Sequence, residues 1–325
     1  MRAVVRTRYG PPDVLRVADV ETPVPRDRDV LVRVRAVSLN LSDWEVLRGT
    51  PFYARAGAPF RPRNHVLGSD VAGRVEAVGP GVTRFRPGDD VFADILSHMG
   101  RHMGGFAEYV CVPEAVLSRL PAGLSYEEAA ALPQAGVIAL QGIQVKGRVE
   151  PGQKVLINGA GGGSGSFAVQ LAKLHGAEVT GVDNGEKLES MRALGADHVI
   201  DHTREDFTAN GRTYDLILDL AAYRGPSAYA RSLAPGGRYL LVGGAMSTLL
   251  RVLVLGPLTG RREGKRMRML VVELGAEHVL PLVELCRAGT VKIVIDRRYP
   301  LEEVPEALRY LGEGHARGKV VVTVD

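Results

Sequence analysis

The chain has 325 residues, of which 45% are hydrophobic and 24% charged, the composition of a soluble globular protein long enough for two domains. The net charge is only +4 and acidic residues are interspersed with basic ones, so we expect no nucleic-acid partner. The two cysteines, Cys111 and Cys286, exclude a disulfide scaffold and a four-cysteine zinc site, and they favour a reducing compartment, the cytoplasm.

Strands dominate the first 120 or so residues, which are also rich in proline and glycine. Asp29–Val37 alternates apolar and charged residues with a period of two, as half-buried strands do. Val71–Val78 resembles it and runs into a turn at Gly79. Because no helix alternates with these strands, this part of the chain is not expected to form a parallel α/β unit.

The pattern changes near Leu124. Ser125 followed by Glu128 predicts a capping box at the start of an alanine-rich helix. From Lys154 to about Gly244, apolar strand segments alternate with segments of helical periodicity, which predicts βαβ repeats and a parallel sheet.

Two later segments are ambiguous. The apolar stretch Leu249–Leu258 is too short to span a bilayer, and no signal-peptide core precedes it at the start of the chain, so we expect no membrane partner. We interpret this stretch as a buried element or a subunit contact. The last strand, which begins at Lys319, either rejoins the first domain or extends the parallel sheet.

A glycine-rich loop, Lys154–Gly165 (KVLINGAGGGSG), joins a predicted strand to a predicted helix. Glycines allow the backbone to approach a pyrophosphate closely, and the N-terminus of the helix attracts its negative charge. Ala160 stands where the first glycine of the usual motif would be, but Gly159 precedes it. The residues expected to hold the cofactor here are Gly162, Gly163, Ser164 and Gly165.

The end of the next predicted strand bears on the choice of cofactor. Asp183 follows the loop by roughly 20 residues, where a carboxylate binds the hydroxyls of the adenosine ribose and repels a 2′-phosphate. Asn184 and Lys187 are the opposing candidates, since an amide and an ammonium can bind that phosphate. NADH is therefore favoured over NADPH, and the alternative for Asp183 is a helix N-cap.

Taken together, these motifs resemble the medium-chain dehydrogenases/reductases, in the zinc-independent branch that includes the quinone oxidoreductases. The matching segments, besides the glycine loop, are Ala36–Asp43, Leu67–Val78, Gly79–Val91, Gly105–Val112, Ala129–Gly136, Leu194–Asp201 and Gly314–Val322. The resemblance implies an α/β protein: a GroES-like β-barrel domain over residues 1–124, completed by 290–325, and a Rossmann domain with a doubly wound parallel sheet over 125–289. It also implies a site between the domains and a homodimer or homotetramer.

Departures from the zinc-dependent relatives define the expected chemistry. Asn40, Ser69 and Gln134 stand at or near positions where those relatives have zinc ligands, and none of them is a thiolate or an imidazole. His98 and His102 are four residues apart, but no third ligand is evident, so we predict no metal site.

Without a Lewis acid, oxidation of an alcohol is difficult, whereas reduction of an electron-poor acceptor remains feasible. We therefore predict an NAD(P)H-dependent reductase of quinones or α,β-unsaturated carbonyls. The alternatives are a non-catalytic dinucleotide-binding protein and, less favoured, an alcohol dehydrogenase.

Several side chains are candidates for this site. By resemblance, Asn40 contacts the nicotinamide ribose or the substrate oxygen, or else it is a polar residue of the barrel. Asp43 is expected to hold the polar framework of the site rather than to act as a base. Lys319 is predicted to reach the cofactor phosphates or else to lie at the surface. The substrate pocket is predicted to include Trp44, Tyr53 and His65, with Tyr53 catalytic; all three are also compatible with structural roles.

Overall fold

The computed structural model of the protein describes residues 1–55, 58–96, 103–273 and 275–325. The chain forms two compact units. The first contains Met1–Ala135 and Leu274–Asp325, and the second contains Gly136–Glu273. His98 and His102 lie outside the described residues.

The first unit is built on antiparallel strands. Its elements in chain order are β1 (Arg2–Val5), β2 (Arg16–Asp19), β3 (Asp29–Ser38), α1 (Leu41–Arg48), β4 (Asp70–Val78), β5 (Asp90–Asp94), β6 (Tyr109–Pro113), β7 (Ser118–Arg119), α2 (Tyr126–Ala130) and, after the second unit, α8 (Ala276–Arg287), β14 (Ile295–Pro300), α9 (Val304–Gly312) and β15 (Lys319–Thr323). In the described part of the chain, one sheet has the order β14-β15-β3-β4-β5-β7, and β6 pairs with β3. The predicted strands at 29–37 and 71–78 are confirmed as β3 and β4.

The final strand rejoins the first unit. β15 pairs antiparallel with β3, with Val322 opposite Val37. Both valines are fully buried in the core of this unit. The alternative, extension of the parallel sheet, is therefore wrong.

The second unit is a parallel sheet with helical crossovers. Its elements are α3 (Pro133–Leu140, which spans the boundary), a π-helical turn (Gln141–Val145), β8 (Lys154–Asn158), α4 (Gly163–Leu174), β9 (Glu178–Asp183), α5 (Leu188–Ala193), β10 (His198–Asp201), β11 (Tyr214–Asp219), α6 (Pro226–Arg231), β12 (Leu233–Leu241), α7 (Met246–Leu255) and β13 (Arg266–Met269). The strand order is β10-β9-β8-β11-β12-β13, all parallel. This is the predicted doubly wound sheet, and its order reverses between β8 and β11, where such folds bind ligands.

The unit boundaries differ from the predicted breaks after residues 124 and 289. α2 contacts β3 and β4, so it belongs to the first unit although it precedes the parallel sheet. The capping box at Ser125 and Glu128 is confirmed, but the alanine-rich helix ends at Ala130. A second helix begins at Pro133, because proline has no N–H to donate inside a helix and is tolerated in its first turn.

The apolar stretch after residue 248 forms most of α7. Leu249 and Val252 are buried, whereas Leu253 and Val254 are 59% and 66% exposed. The prediction that this stretch is buried is therefore wrong for the face of α7 that carries Leu253 and Val254. Among the described residues, no helix is long and apolar enough to cross a membrane.

Candidate active site

The glycine loop has the geometry of a phosphate-binding turn. Gly159 adopts a positive φ of 84°, and Gly162 is the N-cap of α4. A methyl group at Gly165 would lie 2.2 Å from the carbonyl oxygen of Gly159, so only glycine allows the helix to start this close to the loop. The N–H groups of the first helical turn, which includes Gly163 and Ser164, have no helical acceptor and suit a phosphate. These residues therefore fit a dinucleotide.

Asp183, at the end of β9, is hydrogen-bonded to this loop. Its Oδ2 accepts a hydrogen bond from Gly161 N–H at 3.0 Å, and its Oδ1 accepts one from Asn184 N–H at 2.9 Å. Lys187 Nζ lies 3.2 Å from Oδ1, and both side chains are largely buried. The carboxylate and the ammonium, predicted to compete for the cofactor, thus form an ion pair with each other.

Asn184 takes the capping role that was the alternative for Asp183. It is the N-cap of a short 3₁₀ helix, Gly185–Lys187, and its Oδ1 accepts a hydrogen bond from Glu186 N–H at 3.2 Å. The side-chain oxygen of Asn184 is thereby occupied. The two hydrogens on Nδ2 of the side chain remain suited to a phosphate.

A buried carboxylate that sequence reasoning missed lies at the end of β11. Asp219 accepts hydrogen bonds from Asn158 Nδ2 at 2.7 Å and from Tyr239 OH at 2.8 Å. Its complete burial raises the pKa to about 6, despite these hydrogen bonds. Asn158 and Asp219 end the two strands between which the sheet order reverses. The available signal was an aspartate at or next to the end of three predicted strands after the loop, at Asp183, Asp201 and Asp219.

In the first unit, Asn40 is held by a closed set of partners at the start of α1. Its Oδ1 accepts a hydrogen bond from Lys319 Nζ at 2.6 Å. Its Nδ2 donates to Ser69 Oγ at 3.1 Å and to Asp70 Oδ2 at 2.9 Å. An ammonium can only donate and a carboxylate accepts, so this orientation of the amide is fixed.

This arrangement bears on the expected contact between Asn40 and the substrate oxygen, which stays a prediction. Both amide hydrogens of Asn40 are already donated within the unit. A hydrogen bond to a substrate oxygen would require one of them to break. The Asn40 side chain can still accept one hydrogen bond through a second lone pair on Oδ1, and a ribose hydroxyl is a suitable donor.

Lys319 also differs from expectation. It is 2% exposed, and its Nζ donates to the Leu39 carbonyl at 3.0 Å as well as to Asn40 Oδ1. Burial lowers the pKa of this ammonium. The predicted contact with the cofactor phosphates is therefore wrong, because the ammonium is enclosed within the first unit and already bonded there.

Asp43 supports the group of polar side chains around Asn40, Ser69 and Gln134, which we call the Asn40 corner. This is the role expected of a framework residue. Its Oδ2 accepts hydrogen bonds from Asn40 N–H at 2.9 Å and from Ser69 Oγ at 3.1 Å. Complete burial raises the pKa of Asp43 to about 7. Its Oδ1 has no partner within the described part of the chain.

Gln134 links further polar groups to this corner. It accepts a hydrogen bond from Ser42 Oγ at 2.8 Å and donates one from its backbone N–H to Asp70 at 3.2 Å. Its Nε2 lies 3.4 Å from Asp94 Oδ2. Sequence reasoning identified Gln134 only as a missing zinc ligand and missed Asp70 and Asp94. The signal for Asp94 was its position at the end of a predicted strand.

The three predicted pocket residues have partners of their own. Tyr53 is 53% exposed, its hydroxyl donates to Glu45 Oε2 at 3.1 Å, and partial burial together with the Glu45 carboxylate raises its pKa to about 12. Trp44 packs against the core of the unit, and a methyl group at Gly312 would lie 2.4 Å from its ring. His65 Nδ1 is 2.9 Å from the Arg6 carbonyl oxygen. Trp44 is thus packed against the core and His65 is bonded to the backbone, and their place in the substrate pocket stays a prediction. A catalytic Tyr53 stays a prediction.

The donor set at this corner does not fit zinc. Asn40 Nδ2 and Ser69 Oγ both donate to neighbouring groups, and Gln134 offers only an amide. No set of three histidines, cysteines or carboxylates is arranged to hold a metal ion among the residues that the structure describes.

Two family models match the chain. The model described as alcohol dehydrogenase GroES-like domain matches residues 26–122, and the one described as zinc-binding dehydrogenase matches residues 194–322. The second description names zinc, but the corner at Asn40 lacks the ligands that zinc prefers.

Relatives and solved structures match over nearly the full length. A chloroplastic quinone oxidoreductase from Triphysaria versicolor is 34% identical, covering 99% of this chain and 98% of its own. An NADPH-dependent alkenal/one oxidoreductase from Arabidopsis thaliana is 32% identical, with coverages of 99% and 79%. The structure of the quinone oxidoreductase from Coxiella burnetii is similar, with a TM-score of 0.90, 30% identity and coverages of 100% and 99%. This chain belongs to the medium-chain dehydrogenase/reductase superfamily, in its quinone-oxidoreductase-like branch.

Proposed function

We propose that this protein is an NAD(P)H-dependent oxidoreductase that reduces quinones or α,β-unsaturated carbonyls by hydride transfer, without zinc. One observation carries the proposal beyond family membership. The corner formed by Asn40, Ser69 and Gln134 is closed by hydrogen bonds between amide, hydroxyl and carboxylate groups. Such a corner offers no Lewis acid, so the acceptor itself must be electron-poor.

Each unit supplies candidate residues for cofactor binding. When bound, the reduced nicotinamide supplies the hydride. The loop at Gly162–Gly165 and Asp183 would hold the pyrophosphate and the adenosine ribose. In the first unit, Lys319 and Asp70 fix the Asn40 amide so that a ribose hydroxyl can donate to its Oδ1. Such fixed partners orient the reactants without reorganisation during the reaction.

A panel of quinones, enals and enones, each assayed with NADH and with NADPH, tests this function. We expect turnover on at least one of these acceptor classes, unchanged by a chelator. Tight cofactor binding without turnover on any acceptor would instead support the non-catalytic, dinucleotide-sensing alternative. Stoichiometric zinc in active protein would contradict the metal-free mechanism.

For the cofactor, we propose a preference for NADH. The ion pair between Lys187 and Asp183 supports this, because an ammonium already neutralised by a carboxylate has less attraction for a 2′-phosphate. The Arabidopsis thaliana relative is NADPH-dependent by name, so the preference requires its own measurement.

We also propose that two copies of the chain associate through α7. This helix exposes Leu250, Leu253 and Val254, and β13 beside it is an edge strand of the six-stranded sheet. An apolar helix next to an open strand edge is a surface that proteins usually cover. A cytoplasmic location and the absence of nucleic-acid and membrane partners stay predictions.

A further inference from the structure

A loop at the carboxyl edge of the parallel sheet packs against the glycine loop. It comprises residues 220–224, directly after β11, and we call it the β11 loop. A methyl group at Gly159 would lie 3.2 Å from Leu220 Cβ. On its other side, the N–H of Ala222 donates to the Gly243 carbonyl at 2.9 Å, just beyond the end of β12. The β11 loop therefore contacts both the glycine loop and the segment after β12.

The strand order gives the direction of a bound dinucleotide. β9, β8 and β11 are neighbours in that order. The adenosine ribose is expected at Asp183, at the end of β9, and the pyrophosphate at the glycine loop after β8. The rest of the dinucleotide then extends towards β11. The β11 loop is therefore where we expect the nicotinamide end.

Two buried side chains hold the first part of the β11 loop. Asp219 Oδ1 accepts hydrogen bonds from Ala221 N–H at 3.2 Å and from Asn158 Nδ2 at 2.7 Å. The same Asn158 amide donates to the Ala221 carbonyl at 3.2 Å. Asp219 is completely buried and Asn158 is 3% exposed. Both backbone polar groups of Ala221 are thus bonded to side chains that are fixed inside the unit.

Tyr229, on α6, holds the second part of the loop. Its hydroxyl oxygen accepts hydrogen bonds from the N–H groups of Tyr223 and Arg224, both at 3.0 Å. A phenol oxygen that accepts two bonds can otherwise only donate its own hydrogen. Tyr229 faces Asp219 as such a donor, and this hydrogen bond opposes the rise that burial causes in the pKa of Asp219. Tyr239 OH donates to the same carboxylate at 2.8 Å.

The ionised form of Asp219 fits this arrangement because the four groups that bond it all donate. An asparagine or a protonated aspartate would bring a further donor into the set, and Tyr229 has no free lone pair to receive it. Burial raises the pKa of the Tyr229 and Tyr239 phenols, so both stay uncharged. Arg224, in the loop itself, is ion-paired with Asp206 at 2.8 Å. The negative charge of Asp219 is thus held by uncharged donors.

We propose that Asp219 and Asn158 are positioning residues that hold the β11 loop in the shape that receives the nicotinamide end of the dinucleotide. This inference rests on the proposed function. Because Asp219 is completely buried, it acts through the loop backbone rather than by contact with the cofactor. A neutral side chain at this position would be less costly to bury, but it would leave the loop less firmly held.

Calorimetric titration with NADH and with ADP-ribose, which lacks the nicotinamide ring, tests this role without turnover. The ratio of the two dissociation constants isolates the nicotinamide end, because both ligands share the adenosine and pyrophosphate contacts. In Asp219→Asn we expect NADH to bind about tenfold more weakly, as for the loss of one hydrogen bond, and ADP-ribose to bind as in the wild type. The control Asp215→Asn lies at the other end of β11, where the carboxylate accepts a hydrogen bond from Lys154 N–H at 2.8 Å. It should leave both constants unchanged.

The same ratio measured against pH tests the charge. The pKa of Asp219 is raised to about 6, so the carboxylate takes up a proton as the pH falls through this value. In the wild type, the advantage of NADH over ADP-ribose should shrink over that range. In Asp219→Asn it should be small and independent of pH. His202, whose N–H donates to the Asp183 carbonyl, lies at the adenosine end and affects both ligands alike.

Three outcomes separate the possibilities. A wild-type ratio in Asp219→Asn, whether both affinities are kept or both fall together, overturns the positioning role. If Asp219→Asn does not fold, Tyr229→Phe is decisive, because it removes the hydroxyl that holds Tyr223 and Arg224; NADH should again weaken relative to ADP-ribose, and an unchanged ratio overturns the role. Wild-type protein that binds neither ligand overturns the proposed function, and the positioning role with it.

Discussion

At the scale of single residues, the ion pair between Asp183 and Lys187 determines how the cofactor preference responds to mutation. Replacing Asp183 with serine removes the negative charge and leaves the Lys187 ammonium, 3.2 Å away, without its partner. We expect the ratio of kcat/KM for NADPH to that for NADH to rise by about tenfold or more, as one charge interaction in a partly buried site allows.

The matched control is Lys187→Met, which should lower the same ratio or leave it unchanged. Both ratios are measured with one acceptor at constant ionic strength, since screening weakens the charge interaction. A ratio that does not move in Asp183→Ser would contradict the assignment of Asp183 to the adenosine ribose.

Asp219 provides a second prediction at this scale, one of stability rather than activity. Its folded pKa, about 6, exceeds that of an unfolded aspartate, so the folded state binds its proton more tightly. The contribution of this group to stability is therefore fully present below the unfolded pKa and is lost as the pH rises through the folded one. Relative to the wild type, Asp219→Asn should gain on the order of 3 kcal/mol in unfolding free energy between about pH 4 and about pH 7.

Urea unfolding followed by circular dichroism at both pH values checks this difference. Asp201→Asn is the control, because hydrogen bonds from Thr203 lower the pKa of Asp201 and its contribution to stability is lost only below about pH 4. Its stability relative to the wild type should therefore change little between the two pH values. An Asp219→Asn variant whose relative stability is independent of pH would show that the buried carboxylate does not titrate in this range.

At the scale of elements, the loop between β8 and α4 contains two glycines with different expected roles. Gly165 is expected to matter for stability, and Gly162 for dinucleotide binding. A methyl group at Gly165 would meet backbone atoms at 2.2 Å, whereas at Gly162 the nearest such atom is 3.5 Å away. Gly165→Ala should therefore lower the unfolding free energy by about 1–3 kcal/mol through overpacking. Gly162→Ala should cost less than about 1 kcal/mol and weaken dinucleotide binding, because its methyl group stands before the N-terminus of the helix.

Thermal unfolding and cofactor titration of both variants measure the two effects. Equal loss of stability in both would mean that the close approach at Gly165 carries no strain. Cofactor affinity unchanged in Gly162→Ala would place the phosphates elsewhere.

Elements of this protein were predictable where periodicity is strong, and side-chain partners were not. The alternation in β3 and the strand–glycine–helix order at β8 and α4 are local signals, and both were confirmed. The partners of the Asn40 side-chain amide are separated from it by 29 to 279 residues, since Asp70 and Lys319 begin β4 and β15 and Ser69 immediately precedes β4. No local pattern encodes such contacts, which explains why Lys319 was placed at the phosphates and Asp94 was missed.

At the scale of the whole molecule, the exposed face of α7 and the open edge of β13 lead to a prediction about assembly. In the proposed dimer, two copies of β13 would pair antiparallel about a two-fold axis, and an axis between Met267 and Arg268 would set Arg266 opposite Met269 of the second copy. No arginine would then face an arginine, and the two α7 helices would lie beside the joined strands. Symmetric, self-complementary contacts of this kind are the commonest basis of homodimers.

Sedimentation velocity of Leu253→Glu tests this assembly. Leu253 is 59% exposed in the isolated chain, so glutamate there should leave the fold intact, yet it would place an uncompensated charge in the contact and shift the protein from dimer towards monomer. The control is Leu174→Glu, an exposed leucine at the end of α4 in the same unit, which should sediment like the wild type. A monomeric wild type, or a Leu253→Glu variant that stays dimeric, would show that α7 does not form the contact, and its leucines would then require another partner.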